Sequence, residues 1–333
     1  MPMHQRGPTP TGPAPVIALH CSGAGAAQWR QLGEVLGARY ELVTPEHYGC
    51  DGVGPWTGER AFALADEAVR TIEIIDRSDC EVHLVGHSYG GGVALRAAAE
   101  RPNRIASLTL YEPSAFHLLK IMGARGAVAL AEIRAIATQI DEAVITGDYR
   151  GGVSSFVDYW GGPGAWAALR PSVQAALTRW TPKAPLDFRA LIDEPTTASA
   201  YTELHFPALI MRGEHAPAPT SMIAEKLSTL MPAAQVVVIA GAGHMGPLTH
   251  ASEVNATIER HIEKSHPKFW QADLSATESR LDRPGSHLGE ETRGRGSPSR
   301  SLCMCDAHHA PTQADADLCQ IKDLRAVQLL VRQ

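Results

Sequence analysis

The sequence predicts an α/β fold: a mostly parallel sheet with helices on both faces and a helical insertion over one edge. Three observations carry this. Short apolar, β-branched runs alternate with longer runs whose apolar residues recur at helical spacing. One alternation passes from Val82-His83-Leu84-Val85 through Gly86-x-Ser88-x-Gly90 into Val93-Ala94-Leu95-Arg96-Ala97-Ala98-Ala99, a strand reversing into a helix. The pattern stops at Pro113 and resumes at Ala208, and the intervening stretch is mostly amphipathic helix.

Taken in order, residues 1–15 hold five prolines and few apolar residues, so a flexible lead-in is expected. Val16-Ile17-Ala18-Leu19 reads as a buried strand, and a helix is expected from about Gln28 to Leu36. Tyr40-Glu41-Leu42-Val43 is a second strand, followed by a Gly/Pro-rich loop from Pro45 to Gly58. From Arg60 to Asp76, Phe62, Leu64, Ala65, Ala68, Val69, Ile72 and Ile75 recur with helical period. After the Ser88 turn and its helix, Ile105–Tyr111 is another strand. Residues 113–205 form the insertion, with Trp160, Trp166 and Trp180 and breaks at Gly161–Gly164. Strand Ala208–Met211, helix Thr220–Leu230, strand Gln235–Ile239 and a last helix from Leu248 to Lys264 complete the pattern. The expected organisation is therefore a core of residues 16–112 and 206–264, the insertion at 113–205, and a tail at 265–333. The tail lacks aromatic residues after Trp270 and is Gly/Ser/Arg-rich from Arg293 to Arg300. It is expected to be disordered, apart from a short helix near 317–331.

Composition narrows the function classes. The 333 residues are 44% hydrophobic and 20% charged, as in ordinary globular proteins. A net charge of −6 with no basic stripe argues against a nucleic-acid surface. No apolar run has the length of a bilayer span, and the N-terminus has no signal-peptide core. Six scattered cysteines do not make a disulfide scaffold in a chain this long, which points to a reducing cytoplasm. Cys303-x-Cys305 with His308, His309 and Cys319 matches no closed zinc spacing. No cofactor or metal is expected, and the oligomeric state is not legible.

The chemistry centres on Ser88. Glycines on both sides let a strand turn straight into a helix and lift the hydroxyl to the helix N-terminus. A serine needs a base, and His244 in Gly241-Ala242-Gly243-His244-Met245-Gly246-Pro247 follows the last strand. These two stretches resemble the nucleophile elbow and histidine loop of the α/β-hydrolase superfamily over roughly residues 16–264. The resemblance implies a doubly covered sheet, a cap, and a triad in the order serine, acid, histidine. The sequence pattern shows six core strands; the superfamily commonly has an additional pair at the N-terminal edge, for which no room is expected before Val16. The usual aspartate position, three residues after Gly213, holds Ala216. Two carboxylates remain: Glu112, at the end of the strand after the serine's helix, and Glu214; Glu112 is favoured. The Tyr89 and Ser22 N–H groups are the expected oxyanion donors, Ser22 because His20-Cys21-Ser22-Gly23 resembles the family's His-Gly-x loop. Cys21 stands where glycine is usual and has no partnered histidine to make it a nucleophile. His87, inside the elbow, is expected to shape the pocket floor. Trp160, Trp166, Trp180, Phe156, Tyr159, Phe188 and Tyr201 are expected mainly as insertion core, a few of them lining an apolar pocket.

The implied function is a cofactor-independent serine hydrolase of small or medium apolar esters, acting through an acyl-enzyme. A serine rather than a carboxylate in the elbow weighs against dehalogenase and epoxide-hydrolase chemistry. The missing aspartate keeps open a small-molecule receptor or slow-turnover relic, and the triad is equally compatible with carbon–carbon bond hydrolysis or cofactor-free peroxidase-like chemistry.

Overall fold

The first strand, β1 (Ala14–Leu19), shows how the sheet is covered. In the computed structural model, which describes residues 14–50 and 52–265, its Val16 and Ala18 join one apolar cluster and Ile17 and Leu19 another. Neighbouring side chains on a strand point to opposite faces, so a run apolar at every position has to be covered on both.

A 3₁₀ turn (Ala26–Trp29) leads into α1 (Arg30–Leu36), so the helix expected from Gln28 begins in a tighter form. Strand β2 is Tyr40–Val43 and α2 is Leu64–Arg77. Helix α2 starts four residues later than its periodicity predicts. The Asp66 carboxylate accepts the Ala63 N–H (2.9 Å) and pairs with Arg60, which holds the entering chain extended. Phe62 therefore precedes the helix, although it is buried, and Val69 lies on the outer face, 47% exposed. Strand β3 (Val82–His87) passes through Ser88 into α3 (Tyr89–Glu100), which begins four residues before the expected Val93. Strand β4 is Ile105–Tyr111.

Between β4 and β5 the described chain forms no strand. It folds into α4 (Gly123–Thr146), α5 (Tyr149–Gly161), α6 (Ala165–Ala168), α7 (Pro171–Trp180), α8 (Ala184–Ile192) and α9 (Ala198–Thr202). Strand β5 (Ala208–Gly213), α10 (Ala218–Leu230) and β6 (Ala234–Ile239) follow. The single last helix expected from Leu248 is two, α11 (Gly246–Thr249) and α12 (Ala251–Ser265), broken at His250.

All six strands are parallel, in the order β2-β1-β3-β4-β5-β6. Helices α1 and α12 cover one face through Leu32, Leu36, Val254 and Ile258. Helices α2, α3 and α10 cover the other through Ala68, Ile75, Val93, Ala94, Ile223 and Leu227. Ile133, Ile136, Trp160 and Phe188 of the insertion belong to that second cluster, so the insertion has no apolar core separate from it. The chain leaves β1 toward β2 and then crosses back to β3, making the gap between the ends of β1 and β3 the topological switch point. Open parallel sheets bind ligands there. Among the described residues no helix is long and apolar enough to cross a membrane. The lead-in expected over residues 1–15 is two residues too long, since Ala14 and Pro15 already belong to β1; its residues before Ala14, the tail beyond Ser265 and its Cys303–Cys319 cluster lie outside the described residues.

Candidate active site

Register places Leu19 beside Gly86 and His87 beside Tyr111, so the loops after β1, β3 and β4 converge at one sheet edge. Ser88, between β3 and α3, has φ +54° and ψ −115°. Its N–H donates to the Tyr111 carbonyl (3.0 Å), and its carbonyl accepts from Gly92 (3.1 Å) and Ser114 (3.0 Å). A Cβ on Gly86 would lie 2.6 Å from the Gly90 carbonyl oxygen, and one on Gly90 would collide with the Leu19 carbonyl. The turn is thus this tight only because those two residues lack side chains.

Ser88 Oγ donates to His244 Nε2 at 2.9 Å, and His244 Nδ1 donates to Glu112 Oε2 at 2.7 Å. All three are buried. Glu112 sits just past β4 with φ +41°; it and Ser88 are the two non-glycine residues of positive φ among those described. Its Oε1 accepts the Gly213 N–H (2.9 Å), and its Oε2 also accepts the Thr220 hydroxyl (3.0 Å). Both oxygens are therefore held, which fixes the carboxylate plane toward the imidazole. Glu214 does not reach His244. It is exposed, and its Oε2 accepts the Gly241 N–H (2.8 Å), pinning the turn after β6. Each glutamate stands one residue past a strand end, Glu112 past β4 and Glu214 past β5, but β4 adjoins the serine's strand β3 whereas β5 lies one strand further out.

The His244 loop is tethered from below. Tyr111 Oη donates to the Gly243 carbonyl (2.8 Å) and His87 Nε2 to the His244 carbonyl (2.9 Å). His87 does not line the cavity, contrary to expectation: it is fully buried beneath the loop. Burial, and then the neighbouring His244 ring, hold its imidazole well below the usual range, so it is neutral. Gln28 links this tether to the β1 loop, donating to His87 Nδ1 (3.2 Å) while its Oε1 accepts the Cys21 N–H (3.0 Å). Burial pushes the Cys21 thiol up to about 12, too high for a thiolate nucleophile. The N–H of Tyr89 opens α3 beside the serine, and Ser22 shares the cavity with Ser88.

The cavity over Ser88 has two lobes that meet at Ser22, Ser88, Phe156 and Trp160. The larger, about 150 Å³, runs between His244, Met245 and Leu248 and the insertion's Leu169, Val173 and Leu177. The smaller, about 20 Å³, ends on Ser114, Phe116, Trp180, Asp187, Phe188 and Leu191. Of the aromatic residues singled out, Phe156, Trp160, Trp180 and Phe188 line it; Trp166, Tyr159 and Tyr201 do not. Trp160 also lies against the His244 ring, with centroids 4.3 Å apart and planes 31° from parallel.

Two features escaped the sequence reading. Ser114 Oγ is 3.3 Å from Ser88 Oγ. Beneath the smaller lobe, Lys183 Nζ donates to Glu67 Oε2 (3.0 Å), to Asp187 Oδ1 and to Tyr89 Oη (3.3 Å), all four side chains being buried. The available signal was Glu67 itself, a charge three residues after Leu64 and four before Thr71 on the inward face of α2. Among the described residues, His20 Nε2, a Glu46 oxygen and Cys50 Sγ lie within 4.8 Å of one another, a spacing that could hold a metal. Here Glu46 accepts the Ala26 N–H (2.9 Å), and burial raises the Cys50 thiol.

A parallel sheet with a strained serine between strand and helix, facing a histidine and a carboxylate carried by later strand ends, defines the α/β-hydrolase class. The family model described as "Alpha/beta hydrolase family" matches residues 16–257, and the chain belongs to that family. Among sequence relatives, RutD of Variovorax paradoxus (strain S110), named provisionally as a carbamate hydrolase, is 35% identical over 112 residues, 33% of this chain and 42% of RutD. Lipase LipV of Mycobacterium tuberculosis is 29% identical over 164 residues, 49% of this chain and 56% of LipV. The chain thus spans about half the length of these curated relatives. The structure of MenH from S. aureus superposes with a TM-score of 0.60 at 19% identity, covering 76% of this chain and 94% of MenH, a likeness of fold.

Proposed function

We propose that the chain is a serine hydrolase of small or medium apolar esters that works through an acyl-enzyme. The observation that carries this is the Ser88–His244–Glu112 relay, 2.9 and 2.7 Å, at the junction of an apolar cavity. Ser88 Oγ attacks the ester carbonyl as His244 Nε2 takes its proton, and Glu112 orients the ring and stabilises the imidazolium. The Tyr89 and Ser22 N–H groups receive the oxyanion, worth roughly 2.7–4 kcal/mol per donor in comparable enzymes. Collapse breaks the bond to the leaving alkoxide, which takes the proton from His244 and departs as the alcohol. Water then gives its proton to His244 and attacks the acyl carbon; the acid leaves, and Ser88 recovers its hydrogen.

The names of LipV, a lipase, and RutD agree with hydrolysis at an ester-type carbonyl. The receptor reading rested on the absent aspartate after β5, and Glu112 fills that role in this proposal. A fluorophosphonate probe tests it: one equivalent should label wild-type protein at Ser88, and Ser88→Ala should neither label nor turn over 1-naphthyl butanoate. Folded wild-type protein that refuses the probe would remove the hydrolase assignment.

A further inference from the structure

The two lobes differ in which catalytic group they face, and this assigns the two halves of the substrate. His244, which must protonate the leaving oxygen, lines the larger lobe and not the smaller. The departing alcohol therefore occupies the larger lobe. The acyl group, on the far side of the carbonyl from His244, enters the smaller one.

That smaller lobe is not wholly apolar. Phe116, Phe188 and Leu191 form much of its wall, but it also holds the Ser114 hydroxyl and one charged side chain, Asp187. Asp187 is 3% exposed. Burying a carboxylate costs several kcal/mol unless it is paired; here the Lys183 ammonium is shared between Asp187 and Glu67, and Glu67 also accepts from the Tyr89 hydroxyl (2.7 Å) and the Tyr48 N–H (2.9 Å) and faces His47. Burial pushes the Asp187 carboxyl up, Lys183 pulling the other way. The lobe is narrow, about 20 Å³ against about 150 Å³ for the larger one, so only a short group enters it. Asp187 takes Lys183 on its Oδ1 and lines the lobe, so a hydroxyl on the substrate would meet this carboxylate from the cavity side. A neutral hydroxyl can enter this aromatic enclosure at less desolvation cost than an ammonium.

Resting on the hydrolase reading above, we infer that the smaller lobe selects a short acyl group bearing a hydroxyl, which donates to Asp187. Asp187 is then a specificity determinant on the insertion, and the preferred substrates are esters of small hydroxy acids.

Matched 1-naphthyl esters test this: propanoate against 2-hydroxypropanoate and butanoate against 3-hydroxybutanoate, with kcat/KM measured for each. In wild-type protein at least one hydroxy ester should exceed its deoxy partner by about 10-fold or more, since a site built to bond a hydroxyl rejects the analogue lacking it. Asp187→Leu should bring that ratio to about 1. Asp187→Asn, which can keep its oxygen on Lys183 and turn an amide donor into the lobe, should also lower it and serves if the leucine variant does not fold. Ratios near 1 in wild-type protein, or a ratio unchanged in the folded variant, overturn the inference while leaving the hydrolase reading intact. Phosphonate labelling of Ser88 without turnover of any of the four esters overturns it as well. Failure of labelling removes both.

Discussion

Ser88 and Glu112 share a backbone peculiarity that few side chains tolerate: both sit at positive φ, costing of order 1–3 kcal/mol each. Each follows the last residue of a central strand, where the strain turns the side chain out of the sheet plane and toward the same histidine. Glu112→Gln should retain the fold, because its amide can still meet Gly213 or Thr220. By the measured effect of the equivalent change in a serine protease it should lower kcat by about 10⁴-fold. Glu214→Gln should change kcat less than 10-fold, read in the same naphthyl-ester assay. His87→Leu leaves the His244 carbonyl and the Gln28 amide without their partner, and each unmet buried group costs about 1–3 kcal/mol. Its expected signature is a kcat loss with little change in KM, checked by steady-state kinetics beside a thermal melt.

At the scale of elements, the insertion is fastened to the core by charge as well as by apolar contact. Lys183, just before α8, reaches Glu67 on α2 and Tyr89 at the start of α3. Lys183→Met strands two buried carboxylates and should cost about 3–5 kcal/mol in chemical denaturation. The strands, their order of chemistry and the serine–histidine pair were legible because each depends on local pattern: β-branched runs, glycines flanking one serine, small residues around one histidine. Helix starts were less legible, since α2 begins where the Asp66 side chain ends the extended chain, and α3 where the turn allows. The choice between Glu112 and Glu214 depended on strand adjacency, which is a non-local fact. Asp187 and Ser114 were missed for the same reason, their importance arising only where the insertion meets the sheet edge.

At the scale of the whole molecule, four histidines among the described residues are held below the ordinary imidazole range, in each case with burial as the largest cause: His20, His87 and His117 (down to about 4), which are buried, and the half-buried His261. A lowered folded-state value means the unfolded chain binds protons that the native one refuses, so stability falls as pH drops below about 6.5. Glu67 acts in the same direction at lower pH. Burial raises its carboxyl, but His47 and Lys183 together hold it well below the usual carboxylate range, so its contribution fades below about 4.5. The melting temperature should be flat near neutrality, decline from about pH 6.5 and steepen below 4.5, and Glu67→Gln should soften only the second decline. A pH series of thermal melts reads both limbs.

The indole of Trp160, laid across the His244 imidazole, has a further use. Protonation of that imidazole quenches emission from a fluorophore in van der Waals reach, so this residue makes the protein its own optical gauge. Among six tryptophans, exchanging this one for phenylalanine would isolate its signal, and stopped-flow light could then follow proton movement during a single turnover without any added dye.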